Sequence, residues 1–267
     1  MVSRKYDPVR ELMLKNSNPP PNELSDAVGG PFHLTPDADF FYVTQTQPCP
    51  YLPDRTERKI VARLEGDAPA QHDRLAQAGF RRIRDFVYRP ACAGCRACLP
   101  IRVIAREFHP NGSFRRNERH NADLTGVEAP LAARPHHFDL FRRYQDARHA
   151  DGDMASMDFV EYRAMIEDSP LDTRMIEFRD GAGKIVAASL TDRLGDGLSA
   201  VYEFFDPDES HRSPGTFAIL WHIREAQRLG LPYVYLGYWI ASSPKMAYKD
   251  RFRPFEILLD GRWQRQD

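Results

Sequence analysis

Cysteine is scarce in this chain of 267 residues: there are four, and three of them fall in one C-x2-C-x2-C run, Cys92, Cys95 and Cys98. No apolar run approaches the roughly 18–20 residues of a membrane span. Behind the basic residues of Met1–Asp7 no apolar stretch follows, so no secretory signal is visible. Neither a myristoylation start nor a prenylation tail is present. These absences predict a soluble cytoplasmic protein and argue against a disulfide framework. No sign of charge dominates either. With 37 basic and 38 acidic residues the net charge is −1, so charge alone does not suggest a nucleic-acid partner. No internal repeat is visible. What remains, 42% hydrophobic and 28% charged residues, describes a globular chain long enough to bury a core.

The charge is unevenly placed. Between Arg81 and Arg119 there are ten arginines against Asp85, Glu107 and Glu118, a local +7 that leaves −8 for the rest. A basic stripe in a neutral protein fits a local anionic ligand, or, more plainly, an ion-paired surface.

Residues 1–36 are broken by Pro19-Pro20-Pro21, Gly29-Gly30-Pro31 and Pro36 and read as a flexible extension. Residues 37–130 read as a smaller α+β lobe carrying the cysteines. Its expected strands are 40–43, 55–64, 81–88 and 99–105, with a helix over 71–78 closed by Gly79. Residues 131–267 form the clearer half. Helices are expected over 135–150, 158–168 and 215–229. Strands are expected over 173–179, 184–194, 198–205, 233–236 and 255–259, with Asp180-Gly181 and Gly195-Asp196-Gly197 as hairpin turns. Three antiparallel strands followed by a helix that crosses to the next strand is the layout of the GNAT acyltransferase fold. The fold class expected is therefore α+β, GNAT-like in the C-terminal half, which by itself says nothing of function.

Four stretches could carry chemistry, and each has a plainer reading. Arg212-Ser213-Pro214-Gly215-Thr216-Phe217 stands where acyl-CoA enzymes of that fold hold a pyrophosphate on backbone N–H groups. Phe217 replaces a small residue there and Pro214 removes a donor, so the loop suits a different donor, or is simply a helix start. Cys49, Cys92, Cys95 and Cys98 could hold zinc or an iron–sulfur cluster; the alternative is an unmetallated thiol loop. Tyr144 through Met154 gathers Tyr, Arg, His and Asp at a helix end, able to orient an amine or move a proton, or merely to cap the helix. Tyr235 through Ile240, followed by Lys245 through Arg251, joins an aromatic strand to a basic turn. It could stack a base and hold phosphates, or be a core strand beside a solvated helix.

Seven stretches in order resemble one family. They are Cys49 through Pro53; Tyr88 through Cys98; Arg119 through Leu124; Tyr144 through Met154; Leu198 through Pro207; Gly215 through Leu220; and Tyr235 through Ile240 with Lys245 through Lys249. The chain resembles the bacterial aspartate/glutamate leucyltransferases, relatives of the eukaryotic arginyl-tRNA–protein transferases, over about residues 37–263. Pro214 departs from the pattern, standing where leucine is expected.

The resemblance implies a GNAT-like transferase that uses leucyl-tRNA, not acyl-CoA. It would add leucine to the α-amine of proteins beginning with Asp or Glu and so direct them to N-degron degradation. The ester is already activated, so no cofactor is required for the reaction, and no membrane is involved. His149, Asp153 and Tyr202 are the expected proton-handling residues. Arg89, Arg102 and Arg148 are expected to meet the acceptor's carboxylate. Gly215, Thr216, Tyr238 and Trp239 are expected to line the substrate site, with the leucyl group near Leu220 and Trp239. Arg115, Arg116, Arg119, Lys245, Lys249 and Arg251 are expected to hold tRNA phosphates. Two other classes stand beside this reading: an acetyl-CoA N-acetyltransferase, and a metal-dependent RNA-binding or redox-sensing module built on the cysteines.

Overall fold

The computed structural model describes residues 41–150 and 152–267, and the backbone alone at Asp153. The expected extension over residues 1–36, Phe40 and the Asp153 side chain lie outside the described residues.

The fold is α+β. A four-stranded sheet in the order β1-β4-β6-β5 is built from β1 (Phe41–Val43), β4 (Lys59–Arg63), β5 (Arg81–Ile83) and β6 (Phe86–Pro90); β2 (Gln47–Pro48) and β3 (Thr56–Glu57) pair separately. Helix α1 (Ala68–Gln77) starts on the Asp67 side chain, which accepts from the Ala70 N–H, and ends before Gly79 at φ +85°. Its Leu75 packs with Phe41, Ile60, Phe80 and Val87 in a separate small core.

The single strand expected over 81–88 is a hairpin. Arg84 turns the chain at φ +55°, and β5 folds back on β6 with Arg81 opposite Tyr88. Arg84-Asp85 carries no glycine, proline or asparagine, and a lone Asp85 is too weak a turn signal to divide the strand.

The larger sheet has eight strands in the order β14-β13-β7-β12-β11-β10-β9-β8. They are β7 (Leu99–Ile104), β8 (Thr125–Ala129), β9 (Thr173–Arg179), β10 (Ile185–Arg193), β11 (Gly197–Phe205), β12 (Tyr233–Trp239), β13 (Phe255–Leu259) and β14 (Arg262–Gln266). Strands β7 and β8 come from the first 130 residues and are built into this sheet. Three helices follow the expected positions closely: α3 (Pro135–Arg148), α4 (Phe159–Glu167) and α5 (Pro214–Arg228). Asp158 and Glu161 form a complete capping box at the start of α4. The exposed helix α2 (Gly112–His120) escapes the apolar pattern because Phe114 is its only buried residue.

Two cores flank the sheet. One packs α5, through Ile219, Leu220 and Ile223, against Ile101, Val103 and Val234. The other packs α3 and α4, through Phe141, Tyr162 and Ile166, against Met175, Leu190 and Phe204. Between them the sheet opens. Strands β11 and β12 run parallel and paired only from Gly197–Tyr233 to Ser199–Tyr235. Beyond that, β12 holds to β7 and β11 holds to β10, and a fork opens between them.

Candidate active site in the sheet fork

The fork is lined by charge. Arg81, from the small sheet, reaches across and donates through one guanidinium nitrogen to the backbone oxygens of Ala200 (3.2 Å) and Val201. These carbonyls are left free because β12 has diverged, so the guanidinium replaces a missing strand. Gly237, at φ +74°, lets it lie there: a Cβ at this position would stand 1.8 Å from Arg81 Nη1.

Lys249 closes the other side. It is buried, with Nζ donating to the Tyr238 carbonyl at 2.7 Å. Burial, then the neighbouring Arg81, pushes its ammonium down to about 7, against the pull of Glu203. Glu203 projects from β11, and its Oε1 has no hydrogen-bond partner. Burial raises its carboxyl to about 7, while Arg81 and Lys249 hold it from rising further. His222 Nδ1 lies 3.6 Å from Glu203 Oε1 but bonds to the Ala218 carbonyl at 2.7 Å. Burial pushes His222 down to about 4, so at neutral pH its one Nδ1 proton is already committed.

The C-terminal turn of α3 covers the mouth. Gln145 Nε2 donates to the Tyr202 hydroxyl, and Tyr144 Oη lies 3.4 Å from His149 Nε2. Burial raises both phenols, Tyr144 to about 12, so both stay protonated at neutral pH. His149 is half-buried; desolvation, Lys245 and Arg148 all lower its basicity. Arg148 is exposed with its guanidinium 5.4 Å from the Phe205 ring, and no carboxylate pairs with Arg148 or Lys245 among the described residues.

The fork therefore brings together His149, Tyr202, Arg148, Lys245 and Lys249 of the expected residues. Lys249 is a buried member of the cluster, not the surface phosphate contact expected of it. Arg102 stands apart. It donates to Glu256 at 2.7 Å and to the Tyr235 hydroxyl at 2.9 Å, with Tyr233 and Trp263 rings on its faces. It braces β7 against β12 and β13 and has no fork left for a substrate carboxylate. Arg89 donates to the Ala78 carbonyl at 3.0 Å within the small lobe, and the Tyr238 hydroxyl, shared between the Tyr88 and Gly79 oxygens, ties that lobe to β12. Trp239 is half-buried with its indole N–H on the Ala247 carbonyl at 3.1 Å. Leu220 is buried inside the core.

Gly215 and Thr216 open α5 at the same end of the fork. A Cβ at Gly215 would meet only the Phe205 ring, at 3.6 Å or more, an ordinary contact. Arg212 is turned away onto Asp123 and Glu209. Asn117 of α2 and Asn121, which caps the C-terminus of that helix, hold the Arg212 backbone carbonyl, each at 2.9 Å.

The basic positions Arg115, Arg116 and Arg119 are exposed on α2, and neither Arg116 nor Arg119 has an ionic partner among the described residues. Arg251 lies against the same helix, 5.7 Å above the Phe114 ring and 3.5 Å from Ser113 Oγ. Phe114 and Phe252 stack at 4.8 Å, which fixes α2 to the turn after β12.

The cysteine expectation is corrected. Cys49, Cys92, Cys95 and Cys98 are free and half-buried, and their sulfurs do not converge as ligands. Among the described residues the one group of potential ligand atoms within 4.8 Å of one another is His136, His137 and Glu177. Cys92 Sγ faces the Arg58 backbone, accepting from its N–H at 3.4 Å. Burial raises the Cys92 thiol, and burial with the neighbouring cysteines carries Cys98 to about 12, so neither is a ready thiolate. The zinc or iron–sulfur centre expected from the spacing is not formed. In the His136 group, Glu177 is held by His137 at 2.7 Å and by Arg179 at 2.7 Å.

Two residues that sequence reasoning missed, Arg81 and Glu203, define the fork. A glutamate inside the apolar run Val201–Phe205 is the one signal that could have flagged Glu203.

Comparison with known proteins agrees over most of the chain. Residues 47–116 match the profile of the arginine-tRNA-protein transferase N terminus, and residues 136–259 match the C terminus. A protein of Paramagnetospirillum magneticum named aspartate/glutamate leucyltransferase is 53% identical over 85% of this chain and 93% of its own length. One of the same name from Gluconacetobacter diazotrophicus is 55% identical over 84% and 86%. Among solved structures, a GCN5-related glucosamine N-acetyltransferase region of a fungal multi-domain β-N-acetylglucosaminidase shares 9% identity. It covers 75% of this chain and 22% of that one at a TM-score of 0.40, too distant to build on.

Proposed function

The chain belongs to the arginine-tRNA-protein transferase family and is a transferase, and we propose that it moves leucine from leucyl-tRNA to the N-terminal α-amine of proteins beginning with Asp or Glu, marking them for N-degron degradation. The observation that carries this reading is the match, along nearly their whole length, to relatives named for that acceptor pair and that amino acid.

The fork supports it. The reaction needs an amine and an ester carbonyl held together, a place for the amine's proton and a donor to the oxyanion. Tyr202, kept protonated by burial, is suited to donate to the oxyanion or to the departing tRNA 3′-oxygen. His149 faces the same space as a weakly basic, neutral imidazole. Arg148 and Lys245, cations without carboxylate partners among the described residues, suit the acceptor's acidic side chain. Arg116, Arg119 and Arg251 form a basic ridge on and against α2, suited to tRNA phosphates.

We read residues 131–267 as a GNAT-like half whose parted strands form the site. The preceding segment lends β7 and β8 to the same sheet and supplies Arg81 and the basic helix. Use of acyl-CoA fits less well. Pro214 has no N–H to offer at the start of α5, and Arg212 is committed to Asp123.

The test is direct. Purified protein is mixed with tRNA carrying labelled leucine and with peptides beginning with Asp, Glu or Ala. Label should pass to the Asp and Glu peptides only. No transfer from leucyl- or arginyl-tRNA by folded protein, with turnover of acetyl-CoA instead, would overturn the reading.

A further inference from the structure

We propose that Glu203 is the catalytic base that takes the proton from the acceptor's α-ammonium, between the charges of Arg81 and Lys249 in the fork between β11 and β12. This rests on the leucyl-transfer reading and names a residue it leaves open.

Three features of the geometry carry it. First, Glu203 Oε1 is buried and has no hydrogen-bond partner, an exception among buried carboxylates that a bound ammonium would satisfy. Second, the charged and imidazole groups beside it bond to other partners. From β5, Arg81 donates to the Ala200 and Val201 oxygens; from the turn after β12, Lys249 donates to the Tyr238 carbonyl. From α5, neutral His222 has its Nδ1 proton on Ala218. From α3, Tyr144 feels the Glu203 charge and lies 3.4 Å from His149 Nε2, and Tyr248 also feels the Glu203 charge. Third, Glu203 lies where the sheet parts, one residue from Tyr202, with 19% of its side chain open to solvent.

The chemistry balances. The acceptor enters as an ammonium, and Glu203 carboxylate accepts one proton. The freed nitrogen lone pair attacks the leucyl ester carbonyl, forming the C–N bond. The C–O bond to the tRNA 3′-oxygen breaks as that oxygen takes the second nitrogen proton. Glu203 then releases the first proton to water. A carboxyl near 7 is matched to an α-amine of about 7.7–8.0. His149, lowered from 6.5, is the weaker base of the two.

The test is a pH profile of kcat/KM from pH 5.5 to 9 for leucine transfer to a Glu-initiated peptide. The wild type should show an acid limb near pH 7. Glu203→Gln should lose about 10²–10⁴-fold in rate, and its acid limb should move up to the amine's own pKa, while leucyl-tRNA binding stays within about threefold of wild type. Lys249→Met removes a cation that lowers the Glu203 pKa, so its limb should move alkaline. Folding of each variant is checked by thermal melting, and the Lys249→Met shift decides if Glu203→Gln does not fold. Folded Glu203→Gln with wild-type rate and limb would overturn the assignment, as would a Lys249→Met limb that does not move. Failure of the wild type to transfer leucine at all would instead count against the functional reading.

Discussion

At the scale of single residues the fork depends on a glycine. Gly237 holds φ +74°, and its missing side chain is the space Arg81 occupies. Gly237→Ala should cost about 1–3 kcal/mol from backbone strain alone and should also expel the guanidinium from the fork. We expect transfer activity to fall at least about tenfold, the Arg81 position being part of the cluster around Glu203. The check is a double-mutant cycle with Arg81→Ala. The stability cost of Gly237→Ala should shrink when Arg81 is absent, because the clash has gone. Equal costs in both backgrounds would show that strain, not displacement, is the effect. Arg102 teaches the opposite lesson. It has the chemistry to bind a carboxylate, but Glu256, Asp196 and three aromatic rings already satisfy it.

At the scale of elements, the two sheets are joined by a buried ion pair. Arg82 of β5 grips Asp192 of β10 through two bonds, Nε to Oδ2 at 2.5 Å and Nη2 to Oδ1 at 2.8 Å, and Thr173 of β9 donates to the same carboxylate at 2.6 Å. Both side chains are essentially sealed from solvent. Removing one partner leaves the other charge buried, so Asp192→Ala should destabilise the protein by about 3–5 kcal/mol. Glu128→Ala, which breaks an exposed pair between β8 and β9, should cost less than about 1 kcal/mol. Urea denaturation of the two variants measures both. Comparable losses would mean that the Arg82–Asp192 pair does not anchor β5, and with it Arg81, to the large sheet.

At the scale of the whole molecule, a net charge of −1 conceals a directional surface. Arg116 and Arg119 on α2 are exposed, and Arg251 leans on the same helix across the Phe114–Phe252 stack. A nucleic acid bound along this ridge would release counterions as each phosphate is paired. Arg116→Ala should therefore weaken tRNA binding and reduce the slope of log K against log salt by about one unit. Binding titrations at several salt concentrations check this. An unchanged slope removes Arg116 from the interface and moves the ridge elsewhere.

The order of the main helices and strands from residue 135 to 259 could be read from the chain, because each signal there is local; β14 (Arg262–Gln266), with its burial alternating weakly on an edge, was not expected. Glycine turns separate β9, β10 and β11, a capping box starts α4, and apolar spacing marks α5. Family kinship was legible for the same reason: ordered blocks of residues survive without knowledge of their positions in space. Local signals failed at Arg84-Asp85, where an arginine at positive φ turns the hairpin with only one turn-favouring residue beside it, and at α2, whose one buried side chain leaves no stripe. They failed more seriously at the cysteines. Even spacing suggested a common centre, but spacing constrains only neighbours along the chain, and the sulfurs do not meet. Which charges share the fork was decided by tertiary structure alone. Arg81, Glu203 and Lys249 come from three separate strands and turns, and burial beside one another shifts Glu203 up and Lys249 down. Periodicity in sequence reports which face of an element is buried; electrostatics in a site depends on distances across elements, which only packing sets.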